Sequence, residues 1–440
     1  MIMTTTLIQS VTLPSGNTAD ILLDEGVIKD IADAGSITAP EVAQVIDAKG
    51  LIALPGLVDP HTHLREPGRE DAETVETGTQ AAAAGGFVAV YAMANSMPVA
   101  DTAGVVESVR QLGDKAGWAE VRPIGAVTQG LAGERLAELG AMADSRANVR
   151  MFSDDGMCVF DPVLMRRALE YVRSFDGVVA QHAQEPRLTE GAQMNEGIVS
   201  SELGLTGWPA VAEESIIARD VLLTQHVDSR LHVCHVSTKG SVEIIRWAKS
   251  QGIDVTAEVT PHHLLLTEEM VRGYDPVFKV NPPLRTKEDT LALREAVADG
   301  TIDMIGTDHA PHTSETKQCA WNEAAMGMTG LETALPVVQK TLVDTGMITW
   351  EDVARIMSTA PAKLIKATNH GQPLEVGSVA NVTLYDPSAV RTVNPEEHHT
   401  KGRNSPYKGL ELPGKVMHTF YAGHATFKDG ELATPRKEVA

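Results

Sequence analysis

Short, dense apolar runs recur through the middle of the chain, and most are followed by stretches whose apolar positions repeat near every 3.6 residues. The runs are Ile52–Asp59, Phe87–Tyr91, Val121–Val127, Val149–Phe152, Val178–His182, Leu231–Val236, Val255–Val259 and Asp303–Asp308. Their length and β-branched content predict buried strands. The helical spacing falls at Val75–Ala84, Pro162–Val172, Ile216–Leu223, Val242–Ala248 and Leu291–Val297. Eight strands alternating with helices predict an α/β fold, a (β/α)8 barrel over residues 51–365. An open doubly wound sheet would use fewer strands, and no glycine-rich dinucleotide loop follows the first run.

The two ends are patterned differently. Ala19–Leu23, the turn Asp24-Glu25-Gly26 and Val27–Ile31 read as short strands, as do Val379–Tyr385 and Val416–Phe427 with a turn at Asp429-Gly430. Residues 1–50 and 366–440 are therefore expected to form one small β-sandwich beside the barrel, discontinuous in sequence. No solenoid repeat or low-complexity linker interrupts the chain.

Composition narrows the function. A hydrophobic fraction of 43% over 440 residues suits a globular enzyme with a large core. Acidic residues outnumber basic ones 59 to 37, a net charge of -22 that argues against nucleic acid, anionic membrane or polyanionic substrates as partners. Cys158, Cys234 and Cys319 are too scattered for a disulfide framework. Cys234 is expected to be a core residue facing away from the site. The N-terminus lacks a basic region followed by an apolar core, and no uncharged apolar run nears the ~20 residues that span a bilayer. A cytoplasmic protein is expected.

The chemistry gathers where the strands end. Asp59-Pro60-His61-Thr62-His63-Leu64-Arg65 closes the first run, and residues two apart on a strand share a side, so His61 and His63 can reach one metal ion. Asp155 follows the fourth run, His182 ends the fifth, His235 the sixth and Asp308 the eighth. Barrel enzymes keep their chemistry at this C-terminal rim, so all six would converge. Imidazoles and carboxylates suit zinc or a similar divalent ion, and one carboxylate can bridge two ions. Periodicity does not choose between Asp154 and Asp155 as that bridge. Asp308, in Thr307-Asp308-His309-Ala310-Pro311-His312, reads as a proton-transferring carboxylate, with a helix cap as the plain alternative.

Arg65 would point to the same rim. It could grip a substrate carboxylate with two parallel bonds or pair with Glu66 or Glu70. Asn95 and Asn281, beyond the second and seventh strands, can bond amide or carboxylate groups or simply hold loops. His262-His263 behind Pro261 reads as support for the site rather than a ligand pair. His398, His399, His418 and His424 are expected at the surface.

Together these motifs resemble the dihydroorotases of the amidohydrolase superfamily, the longer type with aspartate rather than a carbamylated lysine at the metal bridge. The matching pieces are Asp59–Arg65 with Glu66-Pro67-Gly68, Ser153–Gly156, Cys234-His235-Val236-Ser237, Val259-Thr260-Pro261-His262-His263, Asn281-Pro282-Pro283-Leu284-Arg285 and Thr307–His312. Two departures are visible: Met93-Ala94-Asn95-Ser96 where relatives usually carry Met-Pro-Asn-Thr, and Gln181-His182-Ala183 where Ala-His-Cys is usual.

The resemblance implies one or two zinc ions per subunit, one held by His61, His63 and Asp155 and the other by Asp155, His182 and His235. It implies that Asp308 is the acid/base and also touches metal. Arg65, Asn95 and His312 would bind the substrate carboxylate, with Asn281 and the backbone near Gly327 on the ring. The implied reaction is the reversible cyclisation of N-carbamoyl-L-aspartate to L-dihydroorotate in pyrimidine biosynthesis. A homo-oligomer is expected, and a complex with aspartate transcarbamoylase is seen among similar proteins. Allantoinase and dihydropyrimidinase or hydantoinase are the rival enzymes; Val149–Asp155 holds no lysine to carbamylate. A catalytically silent scaffold for aspartate transcarbamoylase is the rival from another class.

Overall fold

The computed structural model describes residues 5–41 and 43–437. Eight parallel strands form the barrel: Leu57–Thr62, Phe87–Ala92, Glu120–Pro123, Met151–Phe152, Val178–Gln181, Leu231–Val233, Val255–Val259 and Met304–Ile305. Two parallel bridges complete the ring, Gly125 to Phe152 between the third and fourth strands and Thr62 to His309 between the first and eighth. Both strand faces are covered, which explains the unbroken apolar runs. One face packs on the surrounding helices through Leu57, Phe87, Val121, Val179, Leu231 and Val255. The other fills the barrel interior with Val58, Ala89, Tyr91, Met151, Val178, Ala180, Cys234 and Met304.

The helices start where local chemistry directs them. Thr74 caps Val75–Ala84 and Thr286 caps Lys287–Ala298, each with a reciprocal side-chain bond from the third helical residue. Asp161 accepts from Val163 and Leu164 N–H groups ahead of Pro162–Arg173, with proline in the first turn. The helices extend beyond their predicted limits, to Val211–Val227 and Lys239–Ser250; the first is not cleanly two-faced, since Glu213, Asp220 and Thr224 are buried and Val211 is exposed.

The first predicted strand is two. Ile52–Pro55 pairs antiparallel with Val382–Tyr385 in the terminal sheet, whereas Leu57–Thr62 enters the barrel. The break is at Gly56, where a Cβ would stand 2.6 Å from a Val88 methyl, so only glycine lets the chain cross so close to the second strand. The terminal segments share one nine-stranded sheet. A bridge from Val27 to Val379 brings its N-terminal strands back to the C-terminal segment. The sheet encloses Ile8, Val11, Ile21, Leu23, Ile28, Val382, Leu384 and Phe420.

Other barrel strands are shorter than predicted: the fourth starts two residues later, at Met151, and ends at Phe152 as expected, whereas the eighth stops at Ile305. In the eighth, the polar residues beyond Ile305 leave the ladder and turn out to the rim. Among the described residues no helix is long and apolar enough to cross a membrane.

Candidate functional site

Five of the eight barrel strands deliver polar residues from their ends to one rim. His61 and His63 arrive on the first strand and its exit. Asp155 follows the fourth strand, His182 the fifth, His235 the sixth and Asp308 the eighth. All six side chains are buried. Arg65, His235 and Asp308 hold positive φ angles of 63°, 32° and 46°. Such backbone is costly for side-chain-bearing residues and collects at functional sites, where surrounding structure enforces it.

Ligand atoms form two trios that share Asp155: His61, His63 and Asp155, and Asp155, His182 and His235. Asp155 Oδ2 lies 3.3 Å from His63 Nε2, while its Oδ1 lies 3.2 Å from His235 Nε2 and 3.4 Å from His182 Nδ1. Asp308 Oδ1 stands 3.1 Å from His63 Nε2 and 3.5 Å from His61 Nε2. Asp154 is occupied elsewhere, accepting from the Val127 and Thr128 N–H groups at 2.8 and 2.9 Å and from the Thr128 hydroxyl. Asp155 is thus the carboxylate between the two trios.

Three of the four imidazoles are aimed by bonds on their far nitrogen. His61 Nδ1 lies 2.5 Å from Glu258 Oε1, His63 Nδ1 2.9 Å from Asn95 Oδ1 and His182 Nε2 2.8 Å from Gln184 Oε1. These oxygens are acceptors, so each ring donates outward and presents a lone pair inward. His61 Nε2 is buried with no hydrogen-bond partner. Inward lone pairs beside two carboxylates repel unless cations stand among them, so this donor set fits divalent metal. The charges act in the same sense: burial would lower the His61 pKa, yet Asp155, Glu258 and Asp308 hold it well above its ordinary value. Burial would likewise raise Asp155 and Asp308, but His61 and the neighbouring histidines hold both carboxyls far below their usual range.

Arg65 donates from Nε to the Pro311 carbonyl at 3.1 Å. Among the described residues no carboxylate lies within 4 Å of its guanidinium: Glu66 accepts from the Val75 N–H and Glu70 from the Gly68 N–H instead. Burial and nearby Arg69 lower its pKa to about 10, which leaves it cationic. His312 lies 3.5 Å from Arg65 and donates from Nε2 to the Met326 carbonyl; burial and Arg65 hold it neutral, down at about 3. Asn281 donates to Gln184 Oε1 at 3.1 Å, and its own Oδ1 is buried without a partner. The Gly327 N–H is already bonded to the Lys279 carbonyl, and its carbonyl accepts from Lys317 and Asn404. With φ at 145° and a built Cβ only 2.7 Å from His312 Nε2, Gly327 shapes the wall instead.

His263 bonds Thr260 Oγ1 and the Pro282 and Pro283 carbonyls, fixing the turn that carries Asn281. His262 Nε2 is buried without a partner beside the site, and burial lowers its pKa to about 4. Cys234 is a core residue as expected, but its thiol does not face away: it lies within 4.8 Å of ligand atoms of His61 and Glu258. Cys234 keeps the alternation of the strand, on the same side as His232, and the pattern breaks one residue later, where His235 at φ 32° turns its ring to that side as well. Of the four C-terminal histidines, His418 is buried rather than at the surface, since the terminal sheet covers it; the other three are partly exposed.

Sequence reasoning missed Glu258, Asp59 and Gln184 as supports. Asp59 accepts from the Thr307 N–H and hydroxyl at 2.8 and 2.6 Å, tying the first strand to the Asp308 turn. A charged residue inside the apolar run Val255–Val259 was the available signal for Glu258.

The Dihydro-orotase-like family model matches residues 50–241. Dihydroorotase of Streptomyces coelicolor is 63% identical over 430 residues, covering 98% of this chain and all of that one. Dihydroorotase of Mycobacterium tuberculosis is 51% identical over 417 residues, 95% and 96% of the two chains. Among solved structures, L-hydantoinase (dihydropyrimidinase) from Arthrobacter aurescens superposes with a TM-score of 0.87 at 26% identity over 98% of both chains. A dihydropyrimidinase from Brevibacillus agri shares the fold at a TM-score of 0.84 and 24% identity, covering 98% of this chain and 97% of that one. Near-complete coverage at such identity, over a metal-dependent amidohydrolase barrel, places the sequence in one group: the chain belongs to the dihydroorotase family.

Proposed function

We propose that the protein interconverts N-carbamoyl-L-aspartate and L-dihydroorotate as a zinc-dependent cyclic amidohydrolase of pyrimidine biosynthesis. The observation that carries the reading is a cationic Arg65 with no carboxylate within 4 Å among the described residues, set beside two imidazole-carboxylate trios. A half-buried guanidinium with no carboxylate partner calls for an anion, and dihydroorotate bears a ring carboxylate that neutral hydantoin and dihydropyrimidine rings lack. By the family resemblance, Asp155 stands where those rivals carry a carbamylated lysine.

His61, His63 and Asp155 would hold one zinc ion, and Asp155, His182 and His235 a second. When bound, the metal supplies Lewis acidity toward the ring carbonyl and lowers the pKa of attacking water. Asp308, 3.1 Å from His63 and held ionised, accepts the proton of that water. In ring opening the amide C–N bond breaks, the water oxygen joins the carbonyl carbon, and Asp308 delivers the proton to the departing nitrogen. Ring closure retraces these steps. Arg65 and the Asn95 amide N–H group bind the carboxylate, His312 joins them by turning its one N–H, at Nε2, from the Met326 carbonyl to the substrate, and Asn281 binds the ring. Neutral His312 adds no charge to compete with Arg65. Assembly as a homo-oligomer, or with aspartate transcarbamoylase, is part of the proposal on the strength of the family resemblance.

The test is ring opening of dihydroorotate by protein with and without exhaustive chelation. Activity should vanish with the metal and return with zinc. Full activity in metal-free protein overturns the reading.

A further inference from the structure

Gln184 lies outside every motif that carries the family resemblance, yet its side-chain oxygen is shared by two elements of the site. Oε1 stands 2.8 Å from His182 Nε2 and 3.1 Å from Asn281 Nδ2, while Nε2 donates to Thr189 Oγ1 at 2.8 Å. The Thr189 hydroxyl hydrogen is directed to the Glu185 or Pro186 carbonyl, at 3.1 and 3.3 Å, which leaves the Thr189 oxygen as an acceptor. An acceptor there requires the Gln184 NH2, so the amide oxygen must face His182 and Asn281. Two consequences follow. His182 is held as the Nε2–H tautomer with Nδ1 toward Asp155, 3.4 Å away. Asn281 must present its NH2 to Gln184 and therefore its carbonyl to the site, where Oδ1 is buried and unpartnered. A buried acceptor of that kind is matched by an N–H donor of the bound molecule.

We propose that Gln184, oriented by Thr189, is a positioning residue that sets the His182 imidazole for metal and turns the Asn281 carbonyl toward an N–H of a cyclic amide or ureido substrate. One amide thereby serves both metal holding and substrate selection. The inference rests on the proposed roles of His182 and Asn281.

The test compares Gln184→Leu, Gln184→Glu and Thr189→Val with the wild type in two measurements: zinc affinity of substrate-free protein by chelator competition, and KM for dihydroorotate. Gln184→Leu removes both bonds at similar volume. It should weaken zinc affinity by about 10–100-fold and raise KM by roughly tenfold through the unpaired Asn281 amide. Gln184→Glu still accepts from both partners and should restore both values toward wild type. Thr189→Val frees the amide to turn and should shift both values in the same direction as Gln184→Leu. It also provides the reading if Gln184→Leu does not fold. Wild-type zinc affinity and KM in Gln184→Leu or, failing its folding, in Thr189→Val would overturn the proposal. So would a Gln184→Glu variant no better than Gln184→Leu. If the wild type fails to open dihydroorotate, the functional reading falls instead, while zinc affinity and the 15N shifts of the His182 ring still decide the role of Gln184.

Discussion

Glu258, on the seventh barrel strand, accepts a 2.5 Å hydrogen bond from Nδ1 of His61 at the end of the first. The carboxylate is fully buried, and its other oxygen lies 3.2 Å from His232 Nε2. Burial would raise its pKa, but His61 and His232 hold it down at about 2. The His61 ring is thereby turned so that Nε2 faces Asp155 and Asp308.

Glu258→Gln should test that aim directly. An amide can accept from one of the two histidines only by turning its NH2 toward the other. Zinc affinity should fall by about 10–100-fold with the fold retained, read by metal content after dialysis against graded chelator. Unchanged affinity would make Glu258 only a filler of the barrel interior.

Asp308→Asn keeps the shape of the side chain but cannot carry a proton. Turnover should drop by ~10²–10⁴-fold in both directions while much of the metal stays bound. Steady-state rates for ring opening and closure, beside metal content, decide it. A rate near wild type would reduce Asp308 to a structural role.

Arg65→Met removes the guanidinium and retains the apolar stem. Turnover of dihydroorotate should fall by on the order of 10²–10³-fold, the cost of losing one partner of a buried charge pair. The variant should gain little on dihydrouracil, and the wild type should prefer dihydroorotate by roughly 10³-fold or more. Comparable wild-type kcat/KM on the two substrates would transfer the assignment to a dihydropyrimidinase.

Acid stability should depend on Glu120, on the third barrel strand. Its carboxylate lies 2.6 Å from His370, 3.0 Å from Arg122 and 3.2 Å from Arg110. Burial would raise its pKa, but His370 and the two arginines hold it well below the ordinary glutamate value of 4.5. A carboxyl depressed on folding stabilises the native state above its unfolded pKa, and that contribution is lost as pH falls below about 4.5. Glu120→Gln should therefore be less stable than wild type at neutral pH, and the gap should narrow on acidification. Denaturant melts at several pH values between about 3 and 7 would measure it; a pH-independent difference would count against the ion cluster.

Much of this was legible along the chain. Buried parallel strands are apolar on both faces, so the eight runs announced themselves locally, as did the helix Val75–Ala84, whose predicted limits match the structure. The polar residues that end those runs fall on one rim because a barrel of parallel strands has only one C-terminal edge. Tertiary structure decided the rest, because hydrogen-bond partners distant in sequence leave no local pattern. Asp155 stands between the trios because Thr128 and the neighbouring N–H groups, some 26 residues away, claim Asp154. The Glu258 bond to His61 spans 197 positions. Ile52–Pro55 belongs to the terminal sheet only because Val382–Tyr385 returns beside it. Residue types and their spacing determined which chemistry this chain carries; the convergence of distant strands determined which atoms face it, since direction belongs to the assembled neighbours of a side chain and not to its place in the sequence.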